Sequence, residues 1–292
     1  MVTVILSGGL GNQMFQYAAA RALSLSCDTS LVVDLYKLQK KTSATSRIYQ
    51  LDVFSADPVV VSSTLKNKLI IKSFNYLRHP TIKGRLFSYL KLFADKGAQY
   101  YDDQFRYLHG YETLWGYFQN ENYFRKYTDT IRHDFTFKQP LNARNAEIST
   151  MMEATNSIAL HIRRGDYTNP NSNLPVLDID YYKRAIRHIN NKIENPAYFI
   201  FSDDVEWVKA NLDLLPYKHQ YITWNTGNDS YIDLQLMTCC KHNIIANSSF
   251  SWWGAWLNGN PAKLVIAPPI WYKRQLKGDY PEGFIPDSWL II

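Results

Sequence analysis

Short apolar runs alternate with longer amphipathic segments through the second half of the chain. Apolar runs of strand length, separated by segments of helix length, are typical of a parallel, doubly wound α/β sheet. We therefore predict a Rossmann-like domain in this half. Its predicted strands cover residues 157–162, 197–201, 220–224, 243–246 and 263–267, and its predicted helices cover residues 181–193, 205–212, 231–240 and 250–257.

The chain begins with a similar strand, loop and helix. Residues 2–6 are an apolar run, residues 7–13 are a glycine-rich exit, and residues 14–23 have the composition of a helix. Glycines at such an exit let backbone amides approach an anion at the helix N-terminus. A dinucleotide-binding fingerprint would need a third glycine where Met14 stands, so we predict no nicotinamide enzyme, although Asp34 lies where a ribose-binding acid would follow a second strand.

The middle of the chain is less regular. Residues 37–100 are basic and predict irregular helices without a motif, whereas residues 110–124 mix aromatic side chains with amides and acids. That mixture suits either a carbohydrate site or ordinary packing. Residues 138–156 are polar and look like a crossover between domains. We therefore predict two domains, residues 1–150 and residues 151–292.

Composition and charge narrow the class of protein. The chain has 292 residues, of which 46% are hydrophobic and 15% aromatic, so it can build two globular cores. Its net charge of +6 is concentrated in residues 1–100, where Lys and Arg exceed Asp and Glu by eight. This excess suits either a solvated face or peripheral contact of residues 37–91 with an anionic membrane. We predict no nucleic-acid partner.

Cysteines and apolar runs indicate the compartment. Cys27, Cys239 and Cys240 are an odd number and lack metal-ligand spacing, which fits a reducing environment. The sequence contains no run of 18 or more apolar residues, and the first strand starts at residue 2 with no leader before it. We therefore expect a cytoplasmic protein that could associate peripherally with the inner membrane face.

The strongest chemical signal is the group His161, Arg163, Arg164 and Asp166, where the predicted strand 157–162 ends. Because side chains alternate along a strand, His161 and Arg163 should share one face and Arg164 should take the other. A guanidinium is costly to bury without an anionic partner, and the carboxyl ends of parallel strands are where α/β sheets bind ligands. The group is therefore either a solvated strand end or a site for an anion such as a diphosphate.

Further polar groups are predicted at the same sheet edge, on residues 202–204, Asp233 and residues 247–249. Residues 247–249 precede a helix, so they could cap it and could also hold a phosphate. Asp178 and Asp180 match an acidic pair that holds a divalent ion in some enzymes, but Asp180 is more simply a helix N-cap. We prefer arginine to metal as the neutraliser of a diphosphate, because a guanidinium supplies bidentate donors and charge together.

Five segments together carry a resemblance to a known family. In chain order they are residues 7–17, 116–119, 161–167, 201–204 and 247–256, which read SGGLGNQMFQY, GYFQ, HIRRGDY, FSDD and NSSFSWWGAW. On these segments the sequence resembles the bacterial α-1,2-fucosyltransferase family of inverting glycosyltransferases. Each segment alone is weak evidence, whereas the ordered set covers nearly the whole chain.

The resemblance implies an α/β fold of the GT-B type, with two Rossmann-like domains facing a cleft, and no metal cofactor. It implies transfer of L-fucose from GDP-fucose to the 2-hydroxyl of a terminal β-galactoside. The acceptor would be a galactose-terminated oligosaccharide or a lipid-linked glycan. The alternatives are an enzyme of the same fold with another donor or linkage, or a catalytically silent protein that binds nucleotides or carbohydrates.

The resemblance also implies roles for individual residues. The C-terminal domain would hold most of the donor: Arg163 would bind the diphosphate, and His161 and Asp233 would read the guanosine. The expected phosphate and nucleotide pocket comprises Ser248, Ser249 and Phe250. The expected acceptor side comprises Asn12, Gln13, Tyr117 and Gln119, and Asn12 would face either the fucose of the donor or the acceptor.

The general base stays open at this point. A carboxylate near the acceptor would suit the task, and the candidates are Asp166, Asp178, Glu112 and Glu121. For Asp166 we favour a different task, the orientation of an arginine, and we count it with Arg163 as catalytic. Proton transfer without a dedicated base is the third option.

Overall fold

The protein divides into two units along its chain. The computed structural model describes residues 1–39, 47–62, 67–68, 91–214 and 216–292. The first unit comprises Met1–Lys138 and Tyr280–Ile285, and the second comprises Gln139–Asp279 and Pro286–Ile292.

Of two expectations about the membrane, the structure describes the residues needed to examine only one. Most of the basic residues between 37 and 91 lie outside the described residues, so the expected contact with an anionic membrane stays a prediction. Within the described ranges, no helix has both the length and the apolar character needed to cross a bilayer.

The first unit is built on a parallel sheet. Its strands run in the order β3-β2-β1-β5-β4, and every pairing between them is parallel. The strands are β1 (Val2–Ile5), β2 (Leu31–Asp34), β3 (Val59–Val61), β4 (Leu92–Ala94) and β5 (Thr113–Trp115); the helices are α1 (Leu10–Ser26) and α2 (Thr128–Asp134); single 3-10 turns lie at Leu51–Val53, Asp103–Tyr107, Glu121–Tyr123 and Arg125–Tyr127.

Helix α1 begins earlier than the sequence predicts. Gly9 is its N-cap and Leu10 its first residue, so Asn12 and Gln13 lie in the first helical turn and not in a loop. Gly8 takes up the sharp change of direction after β1, with a φ of +79° that glycine adopts without strain. The glycine-rich exit is therefore shorter than residues 7–13.

The second unit is also built on a parallel sheet. Its strands run in the order β11-β10-β9-β6-β7-β8, with every pairing parallel. The strands are β6 (Asn156–Ile162), β7 (Pro196–Ser202), β8 (Lys218–Ile222), β9 (His242–Ile244), β10 (Val265–Ala267) and β11 (Leu290–Ile291); the helices are α3 (Ala143–Glu153), α4 (Ile179–Asn190), α5 (Val205–Asn211), α6 (Tyr231–Cys239) and α7 (Ser249–Leu257); 3-10 turns lie at Gly165–Thr168 and Gly227–Ser230. The predicted α/β class with two Rossmann-like halves is confirmed.

Residues 138–156, expected to be a crossover between domains, contain α3, and the chain passes from the first unit to the second at residues 138–139. Asn142 caps this helix by accepting a hydrogen bond from the Asn145 backbone N–H at 3.1 Å. Its buried residues are Asn145, Ile148 and Met152, too few to give a clear apolar period. The pattern of hydrophobic positions therefore does not predict this helix.

The core of the second unit explains why its strands read as continuous apolar runs. Ile158, Leu160 and Ile162 of β6 pack into one buried cluster, and Ala159 packs into another. Both faces of the sheet are therefore covered, as expected for a parallel sheet flanked by helices.

The tryptophan-rich segment of α7 belongs to this packing. Trp252 and Trp253 have no exposed surface, and their ring centroids lie 5.0 Å apart. Gly254 lets the helix approach Met237, because a Cβ at that position would lie 3.0 Å from the Met237 Cβ. Replacing a buried tryptophan by alanine costs about 3–5 kcal/mol, so these rings stabilise the scaffold under the site.

Candidate active site

Arg163 follows β6 directly and is held by two carboxylates. Its Nη2 lies 2.7 Å from Asp166 Oδ1, and its Nη1 lies 3.1 Å from Asp203 Oδ2. Burial disfavours the charged guanidinium, but Asp203 and Asp166 outweigh that effect and raise the pKa of Arg163 above its usual value. Arg163 is therefore a fixed, permanent cation at the carboxyl edge of the sheet.

Asp203 joins the ends of two neighbouring strands. Besides its contact with Arg163, its Oδ1 accepts a hydrogen bond from the Arg164 backbone N–H at 2.9 Å. Gly165 makes room for this carboxylate, since a Cβ on that residue would lie 2.3 Å from Asp203 Oδ2. The glycine of the HIRRGDY segment is thus required by a close approach and not by its dihedral angles.

Arg164 has a separate, structural environment. Its Nε lies 3.1 Å from Asp204 Oδ2, and its guanidinium carbon lies 3.8 Å from the centre of the Trp207 ring. Asp204 also caps α5 by accepting from the Trp207 backbone N–H at 3.3 Å. The two adjacent arginines therefore differ, with Arg164 tied to a helix start and Arg163 to the sheet edge.

His161, on β6, is buried and neutral. Burial, with a smaller contribution from the Arg163 charge, lowers its pKa to about 3. Its Nδ1 is buried without a hydrogen-bond partner, and its ring centroid lies 6.0 Å from that of Phe250. An unpaired polar atom in such surroundings is costly unless a ligand or a water molecule satisfies it.

Asp233, on α6, belongs to a chain of buried amides. Its Oδ1 accepts from Asn225 Nδ2 at 2.8 Å, and Asn225 in turn exchanges hydrogen bonds with the side chain of Asn145 at 3.0 and 3.1 Å. Burial raises the pKa of Asp233 to about 7, although the bond from Asn225 favours the ionised form. This carboxyl group can therefore change its charge near neutral pH.

The segment 247–249 is anchored mainly through Asn247. Asn247 Nδ2 donates to the carbonyl oxygens of Pro175 at 2.9 Å and Trp271 at 3.2 Å, and Tyr167 Oη donates to the Asn247 carbonyl at 3.1 Å. Ser248 occupies the N-cap position of α7, yet its side chain makes no capping hydrogen bond. The capping expected from residues 247–249 is therefore not made by the Ser248 side chain.

Of the acidic pair Asp178 and Asp180, the first residue caps α4, whereas the second was expected to do so. Asp178 is the N-cap of α4, and its Oδ1 accepts from the Tyr181 backbone N–H at 2.7 Å. Asp180 is the second residue of the helix, so the expectation that it is the cap is wrong by two residues. Over the part of the chain that the structure describes, no three His, Cys, Asp or Glu side chains are grouped as a metal site requires.

Two amides expected on the acceptor side contact each other in the first unit. Gln119 Nε2 donates to Asn12 Oδ1 at 2.7 Å, which joins the first turn of α1 to the segment after β5. The Tyr117 side chain is 41% exposed, and the Tyr117 and Phe118 backbone N–H groups both donate to Asp95 Oδ2 at 3.1 Å.

Gln13, also expected on the acceptor side, is fully buried, and its amide contacts backbone groups. Its Nε2 donates to the carbonyl oxygens of Ile48 at 2.8 Å and Gly8 at 3.1 Å. Its Oε1 accepts from the Gln50 backbone N–H at 3.0 Å. In this structure Gln13 therefore ties the turn before α1 to the loop that contains residues 48–50.

All four candidate bases already accept hydrogen bonds or pair with arginine. Asp166 contacts Arg163 and Asp178 caps α4, as described above. The Glu112 carboxylate accepts from the backbone N–H groups of residues 109, 110 and 111 at 2.9–3.0 Å, and Glu121 lies 3.3 Å from Arg125 Nη2. The structure shows Asp166 orienting Arg163, the task favoured from the sequence.

Asp203 is one of residues 202–204, which were expected at this sheet edge, and the structure adds its contact with Arg163; it also adds Asn225 to the candidate site. The signal for Asp203 lies in the sheet register: Ile162 of β6 pairs with Ser202 of β7, so the next residues, Arg163 and Asp203, emerge side by side. Asn225 follows β8 and has no comparable signal, because its contact with Asp233 depends on how α6 packs.

Comparisons with known proteins agree with this architecture. The sequence profile described as Glycosyl transferase family 11 matches residues 1–290. An alpha-1,2-colitosyltransferase from Escherichia coli is 33% identical over 304 residues, which cover 100% of this chain and 99% of that protein. Galactoside alpha-(1,2)-fucosyltransferase 1 from Gorilla gorilla gorilla is 24% identical over 300 residues, which cover 99% of this chain and 74% of that protein.

A solved structure supports the fold. The crystal structure of NodZ alpha-1,6-fucosyltransferase soaked with GDP-fucose aligns with a TM-score of 0.50 at 14% identity, covering 88% of this chain and 92% of that one. At that identity the likeness concerns the fold alone, and it confirms the predicted GT-B type.

Proposed function

Because this chain belongs to glycosyl transferase family 11, we propose that it transfers L-fucose from GDP-fucose to the 2-hydroxyl of a terminal β-galactoside. The family supports the transfer of a glycosyl group. The sugar and the linkage are the finer part of the proposal, supported by the similarity to a galactoside α-1,2-fucosyltransferase and by the fold shared with a fucosyltransferase soaked with GDP-fucose.

The observation that carries the proposal is the fixed cation at the end of β6. Arg163 is held by Asp166 and Asp203 at the sheet edge where α/β folds bind nucleotides. Its remaining donors suit a diphosphate, which accepts paired hydrogen bonds from a planar guanidinium. Arg163 is therefore the proposed ligand of the GDP diphosphate.

The proposed chemistry is a single displacement with inversion. The acceptor hydroxyl attacks the anomeric carbon of fucose from the face opposite GDP, the bond to the β-phosphate oxygen breaks, and the hydroxyl proton passes to water. Negative charge then grows on the leaving diphosphate, where Arg163 stabilises it without a metal ion. Loss of one such donor from comparable sites lowers kcat by about 10²–10³-fold.

The guanine base is proposed to lie between His161 and Asp233. His161 is neutral and has an unsatisfied Nδ1, which suits a polar edge of the base better than a phosphate. Ionised Asp233 would accept the two N–H donors that guanine presents side by side. Uracil lacks this pair of donors, so GDP should bind and UDP should not.

A second candidate differs in the donor sugar. The E. coli relative at 33% identity is named a colitosyltransferase, which favours testing a colitose donor beside fucose. The contacts proposed for guanosine and diphosphate would serve either sugar when it is carried on GDP.

The first experiment measures thermal unfolding with GDP, UDP and NAD. A ligand present at one hundred times its Kd stabilises the folded state by about 2.7 kcal/mol, so only GDP should raise the Tm clearly. A rise with UDP but not GDP would overturn the donor assignment.

The second experiment determines the product. The enzyme is incubated with GDP-fucose or GDP-colitose and a panel of galactose-terminated glycans, and the product linkage is read by NMR. We expect fucose on the 2-hydroxyl of galactose. Faster transfer from GDP-colitose would select the second candidate, and any other linkage would contradict the proposal.

A further inference from the structure

A groove of about 680 Å³ is formed entirely by residues of the first unit. Its lining includes Tyr100, Tyr101, Arg106, Asn122, Arg125 and Glu282, and we call it the tyrosine groove. Its volume lies in the range typical of sites for small ligands. None of the residues discussed above as donor ligands contributes to it.

A buried amide sets the distance between the two walls of the groove. Asn120 has no exposed surface, and its Nδ2 donates to the carbonyl oxygens of Gln99 and Glu282, each at 2.8 Å. Gln99 precedes Tyr100 on one wall, and Glu282 belongs to the other. A single side chain therefore holds the walls at a fixed spacing.

The second wall comes from a distant part of the sequence. Residues 280–285 dock on the first unit, where the Glu121 backbone N–H donates to the Gly283 carbonyl at 2.8 Å. Gly283 has a φ of +78°, and a Cβ there would lie 2.5 Å from Asn122 Nδ2. Because the wall is already formed, a ligand would bind with little cost for ordering it.

The groove presents an aromatic ring to solvent. Tyr100 is 60% exposed, and its ring lies close enough to Gly97 that a Cβ there would be 3.2 Å from Tyr100 Cδ2. Tyr101 contacts the buried Tyr123 ring edge to face, with ring centroids 4.9 Å apart. An exposed but supported tyrosine offers rigid apolar area at a low entropic cost.

Charges of both signs line the groove; besides the two ion pairs described next, they include one further cation and one further anion, Lys126 and Glu282. Arg106 forms an ion pair with Asp103, and Arg125 lies 3.3 Å from Glu121. An anionic ligand would compete with these carboxylates, whereas hydroxyl groups can bond to donors and acceptors that stay paired. The lining therefore suits a neutral ligand that combines apolar faces with many hydroxyls.

From this combination we infer that the tyrosine groove is a binding site for a neutral oligosaccharide, with one sugar ring stacked on Tyr100. The inference goes beyond the proposed transfer reaction, because it requires neither a donor nor turnover. Two sources share the chemistry, namely the distal sugars of an acceptor and a finished glycan that binds independently of catalysis.

The test compares three full-length variants, Tyr100→Ala, Tyr100→Phe and Tyr107→Ala. Tyr107 is the matched control, because it is 72% exposed but does not line the groove. Binding of a neutral, galactose-terminated tetrasaccharide is measured by titration calorimetry and saturation-transfer NMR without GDP-fucose. We expect Tyr100→Ala to weaken binding by about fivefold or more, and the other two variants to bind like the wild type.

Kinetics then distinguish the two sources. If the groove holds distal acceptor sugars, Tyr100→Ala raises KM for the tetrasaccharide, but not for a galactose-terminated disaccharide, and leaves kcat unchanged. If it holds a glycan independently, both KM values stay constant while binding falls. Wild-type protein that fails to bind the tetrasaccharide, or unchanged binding in Tyr100→Ala, would overturn the inference. Failure of GDP binding would instead overturn the proposed transfer function.

Discussion

Asp203 Oδ2 lies 3.1 Å from Arg163 Nη1, while Asp203 Oδ1 accepts the backbone N–H of Arg164. One carboxylate therefore fixes both the side chain of Arg163 and the backbone that carries it. The orientation of the cation at this sheet edge depends on a residue from the neighbouring strand.

We predict that Asp203→Asn weakens GDP binding by about tenfold and leaves guanosine binding unchanged, because it frees a diphosphate ligand and not a base ligand. Calorimetric titration with the two ligands measures the difference. Asp204→Asn is the matched control: it removes a carboxylate one residue away that contacts Arg164 and caps α5. Equal losses for GDP and guanosine in Asp203→Asn would show a general structural defect instead.

Gly165→Ala should weaken GDP binding as Asp203→Asn does, because it displaces the Asp203 carboxylate. The new Cβ would lie 2.3 Å from Asp203 Oδ2 and would push the carboxylate away from Arg163. We expect a selective loss of GDP affinity and of transfer activity. Gly259→Ala is the control, because a Cβ there meets nothing within 4 Å. If Gly165→Ala binds GDP as the wild type does, the close approach of Gly165 to Asp203 is not needed for GDP binding.

The raised pKa of Asp233 predicts a pH dependence of nucleoside binding. Guanine N–H donors require the ionised carboxylate, so guanosine affinity should fall about tenfold for each pH unit below about 7 and level off above it. Guanosine is the better probe, since the phosphates of GDP titrate in the same range. Asp233→Asn should bind weakly at every pH. A wild-type profile that is flat between about pH 5.5 and 8.5 would contradict this role.

Ionisation of Asp233 has the opposite effect on folding stability from its effect on nucleoside binding. The Asp233 carboxyl of the unfolded chain has the ordinary pKa of 3.8, whereas in the folded protein its pKa is about 7, so the folded state keeps the proton over this range. Folding therefore becomes less favourable as the pH rises through this window, and Asp233→Asn should remove that contribution. Urea unfolding of the ligand-free protein and the variant at several pH values measures the difference.

Gln13→Leu should destabilise the fold. The substitution removes three hydrogen bonds between the buried Gln13 amide and partly buried backbone groups, and each such bond contributes about 0.5–1.5 kcal/mol. We expect a clear loss of unfolding free energy in urea. Gln235→Leu, whose amide makes one long contact of 3.4 Å with a carbonyl, should change stability little. Equal stability of the two variants would argue against a loop-fixing role for Gln13.

The centre of the second unit was predictable because β6 and β7 each have seven residues, nearly all of them buried, and a helix separates them along the chain. The faces of the side chains at the end of β6 were predicted from the alternation of side chains along a strand. The pairing of Arg163 with Asp203 required one fact more, namely that β6 and β7 are neighbours with Ile162 opposite Ser202. Strand order is a property of tertiary packing, so a linear pattern does not contain it.

The first unit was less predictable for reasons of length and composition. β3, β4 and β5 have three residues each, too short for an apolar period to show. The early start of α1 was hidden because glycine is a poor indicator of helix, although Gly9 serves here as an N-cap. The roles of the acceptor-side amides stay predictions, as the structure shows their contacts and not a ligand.

The return of residues 280–285 to the first unit has a consequence for how the protein is made. The chain passes from one unit to the other at residues 138–139, 279–280 and 285–286. A ribosome has therefore synthesised residues 139–279 of the second unit before the first unit receives its last segment, the one that Asn120 binds. Co-translational folding of the first unit can begin early, but it can be completed only after that part of the second unit has been made.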